Sequence, residues 1–354
     1  MPPQRPSSVA VILVNHQQYA DTYLAPCYES LLRQTYPGEQ FTVFIVDNGG
    51  TPAQRARIQQ IAPTARLLAN ADNAGWSGGN NTAISVALTE GFDHIVLLNM
   101  DTVVDAQWLA QLMAMAERRP DLHILQSKIL LHGTDRINTL GNRIHFLGYA
   151  YCQGYGQPAA ACPMPAAVDC VSGAAMLVKR GVFEAVGRFR EEYFMYYEDV
   201  EFCWRARLAG FSIGIAESSL CYHKYHFKMH APFLYYLDRN RWMAMLTLLR
   251  LRTLLVILPC WIMAELVMSV YWLLHGRLKA RVWLLLHFVR PATWRVILHR
   301  RREMARCRRR NDAEIVRHFS GVVDFSAIDH GLLHWVANPL LRLYWGAMKR
   351  LIIW

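Results

Sequence analysis

Three groups of residues carry chemistry that an ordinary turn does not need. Asp101, in Asn99-Met100-Asp101, is a lone carboxylate closing an apolar run. Beside an asparagine it is a good oxygen ligand for Mg²⁺ or Mn²⁺ bridging a diphosphate. Glu198 and Asp199 are adjacent acids behind the aromatic run Tyr193-Phe-Met-Tyr-Tyr197, and aromatic walls that exclude water let a carboxylate act as a general base on a hydroxyl. Asn15-His16 and Asp47-Asn48 complete the set. Each group also has a plainer reading: Asp101 as a turn or cap, the acids as first-turn residues favoured by the helix dipole, the rest as turn formers.

The elements around them decide between these readings. Val9 to Val14 is a short β-branched run that predicts a buried strand, and helical spacing over Asp21 to Gln34 follows, stopped at Pro37-Gly38. Phe41 to Val46 predicts a second strand, with Pro52 placed to begin a helix. A third strand near Arg66 to Ala69 leads into Asn73-Ala-Gly-Trp-Ser-Gly-Gly-Asn-Asn81 and a helix through Leu88. A fourth, His94 to Leu98, ends at Asn99, and Asp105 is placed to cap a helix through Glu117. Alternating strands and helices imply a mostly parallel, doubly wound α/β sheet, whose ligands bind beyond the carboxyl ends of the strands. Asn15, Asp47 and Asp101 all fall at such ends.

Other classes drop out. A dinucleotide fold wants G-x-G-x-x-G after the first strand, where this chain has Asn15-His-Gln-Gln-Tyr19. With 53% hydrophobic and 18% charged residues the chain is too apolar for disorder. The eight cysteines form no C-x-x-C pair, so they read as reduced thiols packed as small apolar side chains. The first apolar run is too short for a secretory signal, which places the expected location on the cytosolic side. Charge is divided: from Lys224 to Trp354 there are 22 Lys and Arg against 7 Asp and Glu, a surplus of 15, whereas residues 1–223 carry a net charge of −4. Two regions with different partners follow, one for a ligand or metal and one for an anionic surface.

Six ordered motifs carry a family resemblance: Val11-Ile-Leu-Val-Asn15, Ile45-Val-Asp-Asn-Gly49, Asn73 to Asn81, Leu97-Leu-Asn-Met-Asp-Thr102, Ser172-Gly-Ala-Ala-Met176 and Tyr197 to Arg207. Over residues 8–245 the chain resembles a family 2 glycosyltransferase, of the bacterial rhamnosyltransferase-like branch. The resemblance implies a GT-A-type fold, a nucleoside-diphosphate sugar donor, a divalent metal and inversion at the anomeric carbon. It implies that Asn15 and Asp47 contact the nucleotide, Asp47 through the base. Asn73, Gly75, Gly79 and Asn80 would line the nucleotide or its phosphates, where small residues permit close backbone approach. Asn99-Met-Asp101 stands at the family's D-x-D position with Asn first, making Asp101 the main metal ligand and Asn99 a weaker donor contact. Asp199 matches the family's catalytic base, with Glu198 beside it, and His223 matches a histidine that completes the metal site. The bulky, basic Lys224-Tyr-His-Phe-Lys228 departs from the family pattern and leaves His226 and His230 as alternatives to His223.

The remainder, residues 246–354, reads as an apolar and basic helical region. Thr253 to Leu274 contains Glu265 as its one charged residue and is long enough for a membrane span, but Glu265 is costly at mid-bilayer. Val282 to Val289 and Leu332 to Trp354 mix apolar and basic residues as interfacial helices do. Arg290 to Arg310 holds nine arginines and one acid. Beside so much Trp and Leu, the reading favours anionic lipid headgroups over nucleic acid. The expectation is therefore residues 1–245 as catalytic domain and 246–354 as a membrane-associating region, peripheral or monotopic on the cytoplasmic face. The reaction is expected to be a single displacement onto a lipid-linked or glycan acceptor of the cell envelope. Two competitors stand beside it: a processive polysaccharide synthase, for which Asp238-Arg-Asn-Arg-Trp242 has Asp where Q-x-x-R-W has Gln, and a binding module without turnover.

Overall fold

The computed structural model describes residues 8–225, 231–324, 331 and 333–354. They form two compact units, one of residues 8–141, 152–203 and 211–225, the other of 142–151, 204–210 and the described residues from 231 on.

In the first unit β1 (Val9–Asn15), α1 (Tyr19–Leu32), β2 (Phe41–Asn48), α2 (Pro52–Ile61), β3 (Arg66–Asn70), α3 (Gly75–Glu90) and β4 (His94–Leu98) alternate as expected. β1 lies between β2 and β4, parallel to both, with Val11 opposite Val43 and Val96. Its run is continuously apolar because both of its faces are covered. Pro52 stands at the first turn of α2, behind a reciprocal Thr51–Gln54 capping box.

β5 (Thr102–Val104), α4 (Trp108–Arg118), β6 (Ile124–Leu131), β7 (Ile137–Thr139), β8 (Asn142–Ile144), β9 (Ala150–Cys152), β10 (Ala175–Lys179), α5 (Arg180–Val186), α6 (Glu198–Leu208) and β11 (Ile213–His223) follow. The sheet order is β3-β2-β1-β4-β10-β6-β11-β5, with β7 on β6. Here the expectation of a mostly parallel sheet is corrected. β10 runs antiparallel to both β4 and β6, and β5 and β7 are antiparallel too, so the sheet is mixed. After β4 the chain returns through short links and a long excursion, and only helical crossovers would have kept its strands parallel. Asp105 does not cap α4 either. Its Oδ1 accepts from the Gln107 amide at 2.9 Å and its carbonyl from Trp108 at 3.0 Å, a separate turn that delivers the chain to a helix beginning at Trp108.

The second unit takes in β8 and the start of β9 and is otherwise mainly helical: α7 (Ala231–Leu248), α8 (Leu251–Leu274), α9 (Leu278–Val289), α10 (Pro291–Cys307), α11 (Asp312–Val316) and α12 (Asn338–Met348). A buried ionic cluster pins three of them. Arg241 of α7 reaches Glu265 of α8 at 2.6 Å and Asp238 at 3.0 Å, and Arg281 of α9 pairs with Glu265. The indoles of Trp242 and Trp261 donate to the same Glu265 oxygen at 3.0 and 2.8 Å. Two cations balance two carboxylates, as a buried network requires. Outward the unit is apolar: of the 28 exposed large apolar side chains among the described residues, 24 lie between Leu251 and Ile353.

Candidate active site

Asp101 follows β4, and His223 ends β11. The β5–β11 pairing, His223 opposite Thr102, brings His223 Nε2 to 3.2 Å from Asp101 Oδ1. On its other side His223 Nδ1 donates to Asn138 Oδ1 at 3.0 Å. With Nδ1 engaged by Asn138, Nε2 is the ring nitrogen turned to the carboxylate. Asp101 Oδ1 is a buried oxygen with no hydrogen-bond donor. A ring nitrogen and a buried carboxylate oxygen turned to each other can both ligate a divalent cation, so the residues fit Mg²⁺ or Mn²⁺. Among the described residues no third His, Cys, Asp or Glu joins them. A cation here would take its remaining ligands from a diphosphate and water. His226 and His230 lie outside the described residues.

Asn99 lies beside Asp101, with its side chain engaged by Trp76. Its Oδ1 accepts from Trp76 Nε1 at 3.1 Å, so an indole, not a ligand, holds the oxygen. The same Trp76 ring covers Gly173, where an added Cβ would stand 2.6 Å from Cζ2. Gly173 in turn donates its N–H to Asp199 Oδ2 at 3.0 Å, and the Val200 amide donates to Oδ1 at 2.8 Å. Glu198 Oε2 is buried with no hydrogen-bond partner. Burial, and then the charge of Asp199, push the Glu198 carboxyl well above its ordinary range. Burial raises Asp199 as well, against the pull of its amide donors. Burial thus raises both carboxyls of the pair, and the two amide donors hold Asp199 in place.

The backbone around these groups is strained where it meets them. All four non-glycine residues at positive φ among the described residues are Gln17, just before α1, and Phe194, Tyr196 and Tyr197, just before Glu198. Such strain clusters at functional sites. Gly75, itself at φ +70, lets the Phe194 carbonyl approach to where a Cβ would meet it at 2.2 Å. The closeness that Gly79 permits is to Val14, whose Cγ1 would stand 2.7 Å from a Cβ. Both glycines thus face protein groups.

Asn15 and Asp47 lie at adjacent strand ends as expected, and both are fully buried. Asn15 Nδ2 donates to Asp47 Oδ1 at 3.0 Å, while Asn15 Oδ1 accepts from the Ala20 amide at 2.8 Å and thereby secures the first turn of α1. Asn73 is exposed, and its Oδ1 accepts from Asn48 Nδ2 at 3.0 Å and from the Gly75 amide at 2.9 Å. Asn80 is buried and donates to the Trp76 carbonyl at 2.9 Å. Asn48, named in sequence with Asp47 but given no role there, has a buried amide that also donates to the Gly75 carbonyl and accepts from Asn70 and from the Ala74 N–H. Sequence reasoning missed the parts played by Trp76, Asn138 and Gly173. Trp76 and Gly173 stood inside quoted motifs; Asn138 carried no signal, because only the fold brings it to His223.

A family model, "Glycosyltransferase like family 2", matches residues 6–244. The chain belongs to this family. Over 248 residues it is 25% identical to the low-salt glycan biosynthesis hexosyltransferase Agl10 of Haloferax volcanii, covering 67% of this chain and 75% of that protein. It is 28% identical over 211 residues to the N-acetylglucosaminyl-diphospho-decaprenol L-rhamnosyltransferase of Mycobacterium tuberculosis, covering 52% of this chain and 67% of that protein. Among solved structures, GalNAc-T7 with UDP, GalNAc and Mn²⁺ superposes with a TM-score of 0.55 at 12% identity, over 69% of this chain and 48% of that one. That likeness is one of fold: the first unit of this family 2 glycosyltransferase is GT-A-like, and a helical region follows it.

Proposed function

We propose that the chain is a metal-dependent, inverting glycosyltransferase that moves a sugar, by likeness to its relatives a hexose or rhamnose, from a nucleoside-diphosphate donor to a hydroxyl of a lipid-linked or glycan acceptor. The reading rests on one arrangement: Asp199, held by two amides beside the buried Glu198, is linked through Gly173 and Trp76 to Asn99 of the Asn99-Met-Asp101 turn, which carries the Asp101–His223 pair. Asp199 takes the proton of the acceptor hydroxyl as its oxygen attacks the anomeric carbon, and the donor's bond to its diphosphate breaks with the electron pair leaving on phosphate oxygen. No enzyme-bound sugar forms. Asp101 and His223 would hold the Mg²⁺ or Mn²⁺, whose positive charge offsets the charge building on the departing diphosphate. Asn15 and Asp47 serve the nucleoside, Asn73 and the start of α3 with Gly75, Gly79 and Asn80 lie under its phosphates, and Asn99, fixed by Trp76, offers its Nδ2 to donor oxygens.

The second unit is read as the attachment to an anionic membrane on the cytoplasmic face. α8 is long and apolar enough to cross a bilayer. Its Glu265 is nevertheless consumed by Arg241 and Arg281, and its outer face is apolar from Leu251 to Leu274. A helix so tied on one side and apolar on the other fits a monotopic seat. The arginine run is divided in its duties. Arg301 and Arg308 turn onto the carbonyls of Leu246, Leu248 and Leu249 at the end of α7, while Arg290, Arg295, Arg302, Arg306 and Arg309 are exposed and available to headgroups.

A panel of nucleotide sugars incubated with the full chain, Mn²⁺ and a membrane extract tests the reading through release of nucleoside diphosphate. Release from one or a few donors is expected; release from none contradicts it.

A further inference from the structure

Gln126, on β6, is a fully buried amide among apolar neighbours, and no step of the proposed reaction uses it. A primary amide taken out of water is costly unless both of its ends are bonded. Its Oε1 accepts from the Ser172 amide at 2.7 Å, and its Nε2 donates to the carbonyls of Thr139 at 3.1 Å and Ser127 at 3.2 Å. Three partners fix which end is which, because a turned amide would set its amino group against an N–H and its oxygen against two carbonyls.

The sheet explains the position. β11 covers one edge of β6 along its whole length, whereas the other edge is shared: β10 pairs with Ile124 to Gln126, and β7 with Ile129 and Leu130. Gln126 therefore stands where one partner strand gives way to the other. Its side chain ties the residue that ends β7, Thr139, to the approach to β10, Ser172. Each tied point is one residue from a group of the candidate site. Gly173, next to Ser172, donates its N–H to Asp199 Oδ2 at 3.0 Å. Asn138, next to Thr139, has its Oδ1 3.0 Å from His223 Nδ1. One side chain thus holds the backbone behind the carboxylate and the backbone behind the histidine.

We propose that Gln126 is a positioning residue for the transfer: through Ser172 and Gly173 it sets the Asp199 carboxylate, and through Thr139 and Asn138 the His223 ring, so that proton acceptance and metal binding depend on one amide. This deepens the glycosyltransferase reading and rests on it. Removing the amide takes a buried partner from the Ser172 N–H and the Thr139 carbonyl at once, and both links can then shift. A misplacement of about 1 Å costs on the order of 10²-fold in rate, and loss of an outer-shell partner costs a metal-binding histidine about 10- to 100-fold in affinity.

Gln126→Leu in the full chain tests it, with Gln126→Met, unbranched and close to glutamine in length, carrying the same test should the leucine variant not fold. Mn²⁺ affinity is measured by calorimetry with UDP or dTDP present, and turnover as nucleoside diphosphate release at saturating Mn²⁺ and donor. Mn²⁺ affinity should fall about tenfold, the lower end of the range because Gln126 is one link further out, and turnover about 10- to 100-fold. Double variants separate positioning from general damage, since residues that act through one another do not lose additively. Added to Asn138→Ala, Gln126→Leu should take nothing further from Mn²⁺ affinity; added to Asp199→Asn, it should take nothing further from turnover. Ile95→Ala, at a buried position near the amino end of β4, should lower the urea midpoint at least as far while keeping both. Wild-type Mn²⁺ affinity or wild-type turnover in Gln126→Leu, additive losses in either double variant, or equal losses in Ile95→Ala overturn the assignment. Failure of the wild-type chain to bind Mn²⁺ with either nucleotide, or to release nucleoside diphosphate from any donor, would instead strike the glycosyltransferase reading itself.

Discussion

Replacing Asp199 by Asn keeps the side chain's size and one acceptor oxygen for the amides of Gly173 and Val200, 3.0 and 2.8 Å away, but removes its basicity. Turnover should fall about 10²- to 10⁴-fold, the range for loss of a general base, or roughly 3–5 kcal/mol of barrier. Stability should respond in the opposite sense. Burial raises both carboxyls of the pair in the folded state, so the folded protein binds protons more tightly than the unfolded chain. Wild-type stability is then fullest below the ordinary carboxylate range and declines as pH rises through the elevated folded values. Asp199→Asn removes one of these groups and the repulsion on the other, so its melting temperature at neutral pH should equal or exceed wild type, and its decline with pH should flatten. Activity calls for the reverse dependence. The base must be ionised, so the acid limb of kcat should lie above the usual carboxylate range, and Glu198→Gln, by removing a neighbouring charge, should move it to lower pH. Initial rates of nucleoside diphosphate release and melting curves over the same pH series test both halves. Wild-type turnover in Asp199→Asn would refute the assignment of the base, and a lower melting temperature at neutral pH would refute the account of the buried pair.

Chelation should abolish transfer and Mn²⁺ or Mg²⁺ should restore it; Asp101→Ala should weaken Mn²⁺ binding, and Asn138→Ala, acting through His223, should weaken it about 10- to 100-fold, as read by calorimetry. Full activity in chelator would remove the metal from the account. Gly75→Ala puts a Cβ 2.2 Å from the Phe194 carbonyl at φ +70; it should cost about 1–3 kcal/mol in urea unfolding, and an unchanged midpoint would show that Phe194 moves freely. Neutralising the exposed Arg290, Arg295, Arg302, Arg306 and Arg309 should weaken flotation with anionic vesicles, each losing on the order of 1 kcal/mol, with high salt giving the same effect. Binding indifferent to both would favour insertion of α8 over surface attachment.

The parallel half of the sheet was legible because each buried strand announces itself as an unbroken β-branched run, and the polar residue that ends the run marks the carboxyl end. Asn15, Asp47 and Asp101 were found in that way. β10 was not, because Ala175 to Lys179 looks like any short apolar run, and its direction depends on an excursion of some forty residues with no periodic signal. The site divides likewise. Chemistry held in one motif, such as Glu198-Asp199, was visible. Residues that act through others were not: Asn138 acts only because β7 and β11 both pair with β6, and Trp76 joins Asn99 to Gly173 only across three elements. Arg301 and Arg308 show the converse. In sequence they are part of a uniform basic run, and only the carbonyls at the end of α7 separate them from their exposed neighbours.

The stereochemistry of one transfer tests the central claim most directly. With the donor that releases nucleoside diphosphate, and a glycoside acceptor, the anomeric configuration of the new bond is read from its one-bond C–H coupling by NMR. A single displacement driven by Asp199 predicts a product of configuration opposite to the donor, formed by the wild-type chain and lost in Asp199→Asn. A product of retained configuration would require a second displacement or front-face transfer, and would contradict the mechanism built on this site.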